Sequence, residues 1–277
     1  MPLTRGPTTS FFMCARGLHF GFKGTVWKFE RSRMAGGCRS SGHPVIRVRL
    51  GYRLHDGMLS PAFFDRPSPI VARDLVGKVL RRRYRRRWLA ASIVEAEAYE
   101  KNEKGSHASL GRTPSREALF MPPGTIYMYY ARGKDSLNVS CRGEGNAVLI
   151  KGALVYTDDR SPSEHIELMH ALNPLGSRRR PDHRLCAGQT LLCQALALRV
   201  PDWDKKSFDP ERFFIEDVGY RPERLVCARR LGIPSGRDEH LMYRYVDFDR
   251  VHAATVNPIT YRGAKEGTDY RLIPWSR

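Results

Sequence analysis

The chain has 277 residues, 41% of them hydrophobic, enough for one large globular domain or two small ones. Mean hydropathy is −0.47, and no apolar run is long enough to read as a transmembrane helix. Its 47 lysines and arginines against 29 acidic residues leave a net charge of +18. That excess favours a polyanion such as nucleic acid over an anionic membrane surface, because no long amphipathic helix with a Lys-rich face is written into the sequence.

Residues 1–57 mix Gly, Ser, Arg and His without helical or strand periodicity, and their only acids are Glu30 and Asp56. They read as a disordered basic extension, or as the product of a start assigned too early, with Met34 and Met58 as internal starts. The apolar stretch from Phe11 to Phe22 is broken by Arg16 and His19 and does not read as a signal peptide. A globular pattern begins at Leu59, and a single domain is expected over 58–277.

Val71, Ala72, Leu75, Val76, Val79 and Leu80 follow the apolar stripe of one amphipathic helix. The basic run Arg81 to Arg87 reads as a charged loop or a set of phosphate contacts. A strand is expected over 89–99, then a long polar loop over 100–124, of a length that is usually functional or disordered. Thr125 to Tyr130 and Leu137 to Ser140 read as two strands joined by a turn over 131–136 that contains Gly133. Ala147 to Leu154 is apolar enough for a central strand. Ser161-Pro162-Ser163-Glu164 has capping-box spacing, ahead of a helix that buries Ile166, Met169 and Leu172 and stops at Pro174. A second basic run, Arg178 to Arg180, follows. Gly188-Gln189-Thr190 opens a helix through Leu198 and could aim its first amides at a phosphate. Short strands, including Leu241 to Val246, fill the last third. The order predicts an α+β fold: one domain with a curved antiparallel sheet flanked by helices.

The segment Ile93-Val94-Glu95-Ala96-Glu97-Ala98-Tyr99 carries the most chemistry. As a strand it puts Ile93, Glu95, Glu97 and Tyr99 on one face and small apolar residues on the other. A carboxylate beside an aromatic plane can activate a water next to a flat ring. Two carboxylates at this spacing could also bind a metal, but no further Asp, Glu or His lies within the motif, so no metal site is expected. The six cysteines form no Cys-x-x-Cys pair and read as free thiols.

From Leu59 to about Phe248 the chain resembles the alkyladenine (3-methyladenine) DNA glycosylases. Four segments carry the resemblance. They are Phe63-Phe64-Asp65 with Val71 to Gly77, the strand Ile93 to Tyr99, His107-Ala108 through Met121 to Tyr129, and Leu185 to Gly188 with Leu192 to Ala197. The resemblance implies a catalytic domain over 58–277 that flips an alkylated or deaminated purine (3-methyladenine, 7-methylguanine or hypoxanthine) out of double-stranded DNA. It then hydrolyses the glycosidic bond and leaves an abasic site for base excision repair. It assigns Glu97 the water and sandwiches the base between Tyr99 and Tyr129, with His107 against it. Asn138 is placed in the pocket, where it disfavours guanine's exocyclic amine. Glu95 is expected to order the site or pair with an arginine.

Two departures stand out. The family wedges a tyrosine into the duplex from a hairpin tip, whereas here the turn is one residue short, leaving Arg132 at that position and Tyr130 as the nearest aromatic. Lys151 stands where a basic residue, usually Arg, is expected. A lysine there admits a lyase alternative through an imine with the sugar. The other rivals are a non-catalytic nucleic-acid-binding protein and a divalent-metal nuclease. No cofactor is implied, a monomer is expected, and no membrane partner is. The compartment follows the source: cytoplasm or nucleoid in a bacterium, nucleus in a eukaryote.

Overall fold

The computed structural model describes residues 57–275. The extension read over residues 1–57 therefore lies, apart from Gly57, outside the described residues.

Two short helices open the domain, α1 (Pro61–Phe64) and α2 (Ser68–Leu75). The apolar stripe continues past α2, but the helix stops at Leu75. Gly77 takes φ +93°, and Val79 and Leu80 enter strand β1 (Val79–Tyr84). The expected single helix to Leu80 is thus a helix plus a strand. Both elements bury the same apolar residues, and the left-handed glycine between them redirects the chain.

The basic run is the second revision. Arg81 and Arg82 lie inside β1 and are buried. Arg81 donates from Nε to Glu216 at 2.7 Å, and from Nη1 to Asp158 and Ser161, each at 2.9 Å. Arg81 is thus a structural ion pair and Arg82 donates to the carbonyls of Arg83 and Arg212, whereas Arg83 and Arg85 to Arg87 remain exposed. The Ser161 hydroxyl accepts from Arg81, and the expected capping box does not form: α3 (His165–Leu172) starts after Glu164, with no side-chain cap.

β2 (Arg87–Tyr99) is the spine of a nine-stranded sheet in which every strand pairing is antiparallel. The others are β3 (Ile126–Ala131), β4 (Lys134–Ser140), β5 (Ala147–Val155), β6 (Phe213–Glu216), β7 (Arg224–Ala228), β8 (Arg244–Asp247) and β9 (Tyr270–Pro274). The order runs β3-β4-β5-β2-β8-β7-β9, with β1 bridging β2 and β6. β2 changes neighbours along its length: its first half pairs with β1, and Glu95 to Glu97 pair with β8. α2, α3 and α4 (Gln189–Ala195) pack on the strands from one side, which is the α+β arrangement expected. Among the described residues no helix is long and apolar enough to cross a membrane.

One sheet face holds the main core. β2 contributes Leu89, Ala91 and Ile93 to it, then Ala96 and Ala98. The parity changes between 93 and 96, where the register with β5 shifts twice, Ile93 facing Ala153, Glu95 facing Gly152 and Ala96 facing Ile150. A bulge inserts a residue and re-aims the side chains beyond it. Ile93 therefore belongs to the core, contrary to the uniform alternation expected, and Glu95, Glu97 and Tyr99 are left for the opposite face. β5 steps in the same place, sending Val148, Ile150 and Ala153 to the core and leaving Leu149 and Lys151 to the other side.

Candidate active site

That opposite face forms the wall of a cavity of about 1020 Å³. Tyr99 from β2, Tyr127 and Tyr129 from β3, Asn138 from β4 and Lys151 from β5 all reach it, together with His107 from the loop after β2. The sheet therefore brings together Tyr99, His107, Tyr129, Asn138 and Lys151, expected at one site from sequence. Tyr130 and Arg132 lie at its rim on the β3–β4 hairpin.

Glu97 sits behind this wall. It is fully buried and held on both carboxylate oxygens. Oε2 accepts from the Tyr99 hydroxyl at 2.8 Å and faces Lys151 Nζ at 3.4 Å, while Oε1 accepts from the Leu231 amide at 3.1 Å. A carboxylate has about four lone-pair sites, so one direction is left for a further donor. Tyr99, Lys151 and Leu231 each line the cavity and touch this carboxylate, so they link it to the cavity. Burial and the adjacent Glu97 charge raise the Tyr99 phenol well above its ordinary range, which keeps it a hydrogen-bond donor.

Glu95 has a different task. It too is fully buried, but Oε1 accepts from Arg244 Nε at 2.6 Å and Oε2 from the Thr255 amide at 2.7 Å. Arg244 also donates to the carbonyl of Val256. The pair fastens β8 and the 255–256 segment to β2. A Cβ at Gly152 would lie 3.1 Å from Glu95 Oε2, so the missing side chain leaves room for this bridge.

Three further rings that line the same cavity form a cluster. Tyr127 and Tyr129 stack with centroids 5.5 Å apart, and His107 meets Tyr129 edge-on at 4.5 Å. His107 Nδ1 is 3.0 Å from the Tyr127 hydroxyl. Burial, reinforced by Arg116, lowers the His107 pKa and favours a neutral ring. Asn138 is buried and spends one amide N–H on the Tyr127 carbonyl at 3.3 Å.

The turn between β3 and β4 has two residues, not the six expected over 131–136. Ala131 pairs with Lys134, and Arg132 and Gly133 take φ +49° and +75°. Positive φ at both central positions is the hairpin turn whose twist matches its strands. Arg132 is thereby held at the exposed apex, and Tyr130 is 57% exposed beside it. Gly188 to Thr190 also line the cavity. In the second basic run, Arg179 is ion-paired with Glu167 at 2.7 Å.

Sequence reasoning missed Arg230 and the Leu231 amide. Both come from the loop after β7, 127 to 134 positions from the β2 groups and Glu103 that they hydrogen-bond, and no local period signals such a contact. Tyr127 was read as a strand residue without a role. Among the described residues no group of three His, Cys, Asp or Glu is placed to hold a metal ion. The described cysteines, Cys141, Cys186, Cys193 and Cys227, are free thiols.

Residues 62–250 match the model of the methylpurine-DNA glycosylase family. A protein of Pseudomonas syringae pv. tomato, provisionally named 3-methyladenine DNA glycosylase, is 57% identical over 216 residues, covering 78% of this chain and 96% of its own length. A Pseudomonas aeruginosa protein with the same provisional name is 55% identical over 217 residues, 78% of this chain and 90% of its own. The mouse DNA-3-methyladenine glycosylase is 36% identical over 197 residues, 65% of this chain and 55% of its own.

Proposed function

The chain belongs to the methylpurine-DNA glycosylase family, and from that footing we propose that it releases damaged purines from double-stranded DNA by Glu97-assisted hydrolysis. Membership makes it a DNA glycosylase that serves DNA repair. The substrates proposed are alkylated and deaminated purines, and the product is an abasic site. A nucleoid location suits a chain so similar to proteins of bacteria, and one chain supplies every residue this reading needs, so a monomer suffices.

The observation that carries the proposal is the Glu97–Tyr99 hydrogen bond at the wall of an aromatic cavity. A base inside a duplex is out of reach, so the nucleotide enters the cavity extruded. Its purine stacks between Tyr99 and Tyr129, with His107 at its edge. Such stacking is worth roughly 1–3 kcal/mol per base. A water in the one free direction of the Glu97 carboxylate attacks the anomeric carbon. The carbon–nitrogen bond breaks, its electron pair leaves with the base, and the water's proton passes to Glu97. The Leu231 amide and Tyr99 hydroxyl hold the carboxylate in one orientation while this occurs. Asn138 is proposed to disfavour the exocyclic amine of undamaged guanine, and Tyr130 or Arg132 to fill the gap in the duplex.

Lys151 lines the cavity with its ammonium 3.4 Å from the Glu97 carboxylate. This supports an electrostatic role over imine formation, and no covalent complex should be trapped by borohydride on damaged duplex. The deciding experiment is Glu97→Gln on hypoxanthine-containing duplex, with abasic sites revealed by alkali. Loss of a general base lowers the rate by roughly 10²–10⁴-fold, while DNA binding is retained. Release at the native rate overturns the assignment.

A further inference from the structure

Tyr99 has two faces. One belongs to the cavity wall. Over the ring lies the guanidinium of Arg230, its Cζ 4.5 Å from the centroid. Arg230 is 5% exposed and forms no part of the cavity wall, so it covers the face turned away from the cavity. It is fixed there, because Nη1 donates to the Ala98 carbonyl at 2.9 Å and to the buried carboxylate of Glu103. Nε and Nη2 reach no hydrogen-bond acceptor. The guanidinium meets aromatic faces instead, Tyr99 and, at 5.7 Å, Tyr243. Burying an arginine with three N–H donors unmet, one on Nε and two on Nη2, is costly, and packing alone would be served as well by an apolar side chain.

We propose that the Arg230–Glu103 pair is a charged plate behind Tyr99 that sets how the site discriminates between cationic and neutral lesion bases. The proposal rests on the flipped base lying against the cavity face of Tyr99. Purines alkylated at N3 or N7 carry a positive charge in the nucleotide, whereas deaminated purines are neutral. A cation is drawn to an aromatic face by the ring's quadrupole. With Arg230 already on the rear face, that attraction is partly spent and a positive base also meets like charge through the ring. Glu103 offsets the repulsion only in part, because the guanidinium lies directly on the ring, whereas the carboxylate sits beyond it, shared between the guanidinium and the Glu100 amide at 3.0 Å. Neutral bases stack without this penalty. The plate thus narrows the advantage that cationic lesions would otherwise hold. Arg230 acts as a positioning and specificity residue through Tyr99, without touching the base.

The test is single-turnover release of 7-methylguanine and of hypoxanthine from matched duplexes by the full chain, with spontaneous loss subtracted. Arg230→Met raises the ratio of 7-methylguanine to hypoxanthine release by about tenfold. Glu103→Gln moves the ratio the other way, since it leaves the guanidinium unbalanced. Arg230→Lys, which keeps the charge, stays within about twofold of the native ratio. A merely structural role would lower both activities together and leave the ratio alone. Glu103→Gln preserves side-chain shape and carries the test by itself where Arg230→Met folds poorly. Ratios unmoved by Arg230→Met and Glu103→Gln, or moved in the same direction by both, overturn the plate while leaving the glycosylase reading intact. A native chain that releases neither base overturns the glycosylase reading and the plate with it.

Discussion

Glu95 and Glu97 sit two positions apart on one strand face, and the structure gives them separable tasks that one pair of substitutions can tell apart. Glu95→Gln removes the charge facing Arg244, whose side chain is 2% exposed. It also leaves the Arg244 and Thr255 donors, now at 2.6 and 2.7 Å, sharing one amide oxygen. Breaking a buried ion pair from one side costs about 3–5 kcal/mol, because the remaining charge has nowhere to be solvated. At about 2–4 °C per kcal/mol for a domain of this size, the melting temperature should fall by roughly 6–20 °C. Glu97→Gln should be far milder, about 1 kcal/mol. Its amide oxygen can still accept from Leu231 or Tyr99, and Lys151 lines the cavity, where water can reach it. The assay is chemical denaturation of both variants, paired with base release per folded molecule well below the melting transition. Glu95→Gln should lose stability and keep turnover within about tenfold, and Glu97→Gln the reverse. If folded Glu95→Gln is inactive while Glu97→Gln turns over, the two roles are exchanged and the site has been read wrongly.

Other expectations follow from single features. Gly133→Val places a β-branched residue at φ +75° with no atom near its Cβ, so the cost is conformational. Denaturation should show a loss of about 1–2 kcal/mol, and an unchanged midpoint contradicts the turn. His165 is buried with its Nε2 3.1 Å from the Tyr156 carbonyl, which makes Nε2 the protonated nitrogen. Burial first, and Arg81 next, hold its pKa below the ordinary value. The unfolded chain therefore takes the proton first. This contribution is complete above about pH 6.5 and lost as pH falls through the lowered folded value. Urea midpoints between about pH 7.5 and 5.5 should slope less in His165→Gln than in the native chain, and equal slopes refute the linkage. At the hairpin apex, Arg132→Ala should make the salt dependence of DNA binding shallower by about one if the guanidinium meets a phosphate. Tyr130→Ala should leave that slope alone and slow base release; a slope changed by Tyr130→Ala and untouched by Arg132→Ala reverses the two roles.

What the sequence made legible was the set of side chains, and what it hid was their order in depth. Alternation put Glu95, Glu97 and Tyr99 on one face correctly, yet it treated the two carboxylates as equivalent. Nothing in period two can show that Arg244, almost 150 positions later, claims Glu95, or that Leu231 and Tyr99 claim Glu97. The same alternation wrongly gave Ile93 to the site, because a bulge conserves composition while it shifts parity, and only the register with β5 reveals it. The apolar stripe over 71–80 failed for a related reason. A helix ending in a left-handed glycine and a strand beginning two residues later can bury the same residues as one longer helix. The basic run misled in the opposite sense, since Arg81 looks like a phosphate contact until Glu216 and Asp158 are found beside it. Gly77 apart, the deciding partner came from far along the chain. The chemistry was readable because it needs particular residue types close together. The second layer that tunes it, Arg230 behind Tyr99 included, was not, because its members are joined only by the fold.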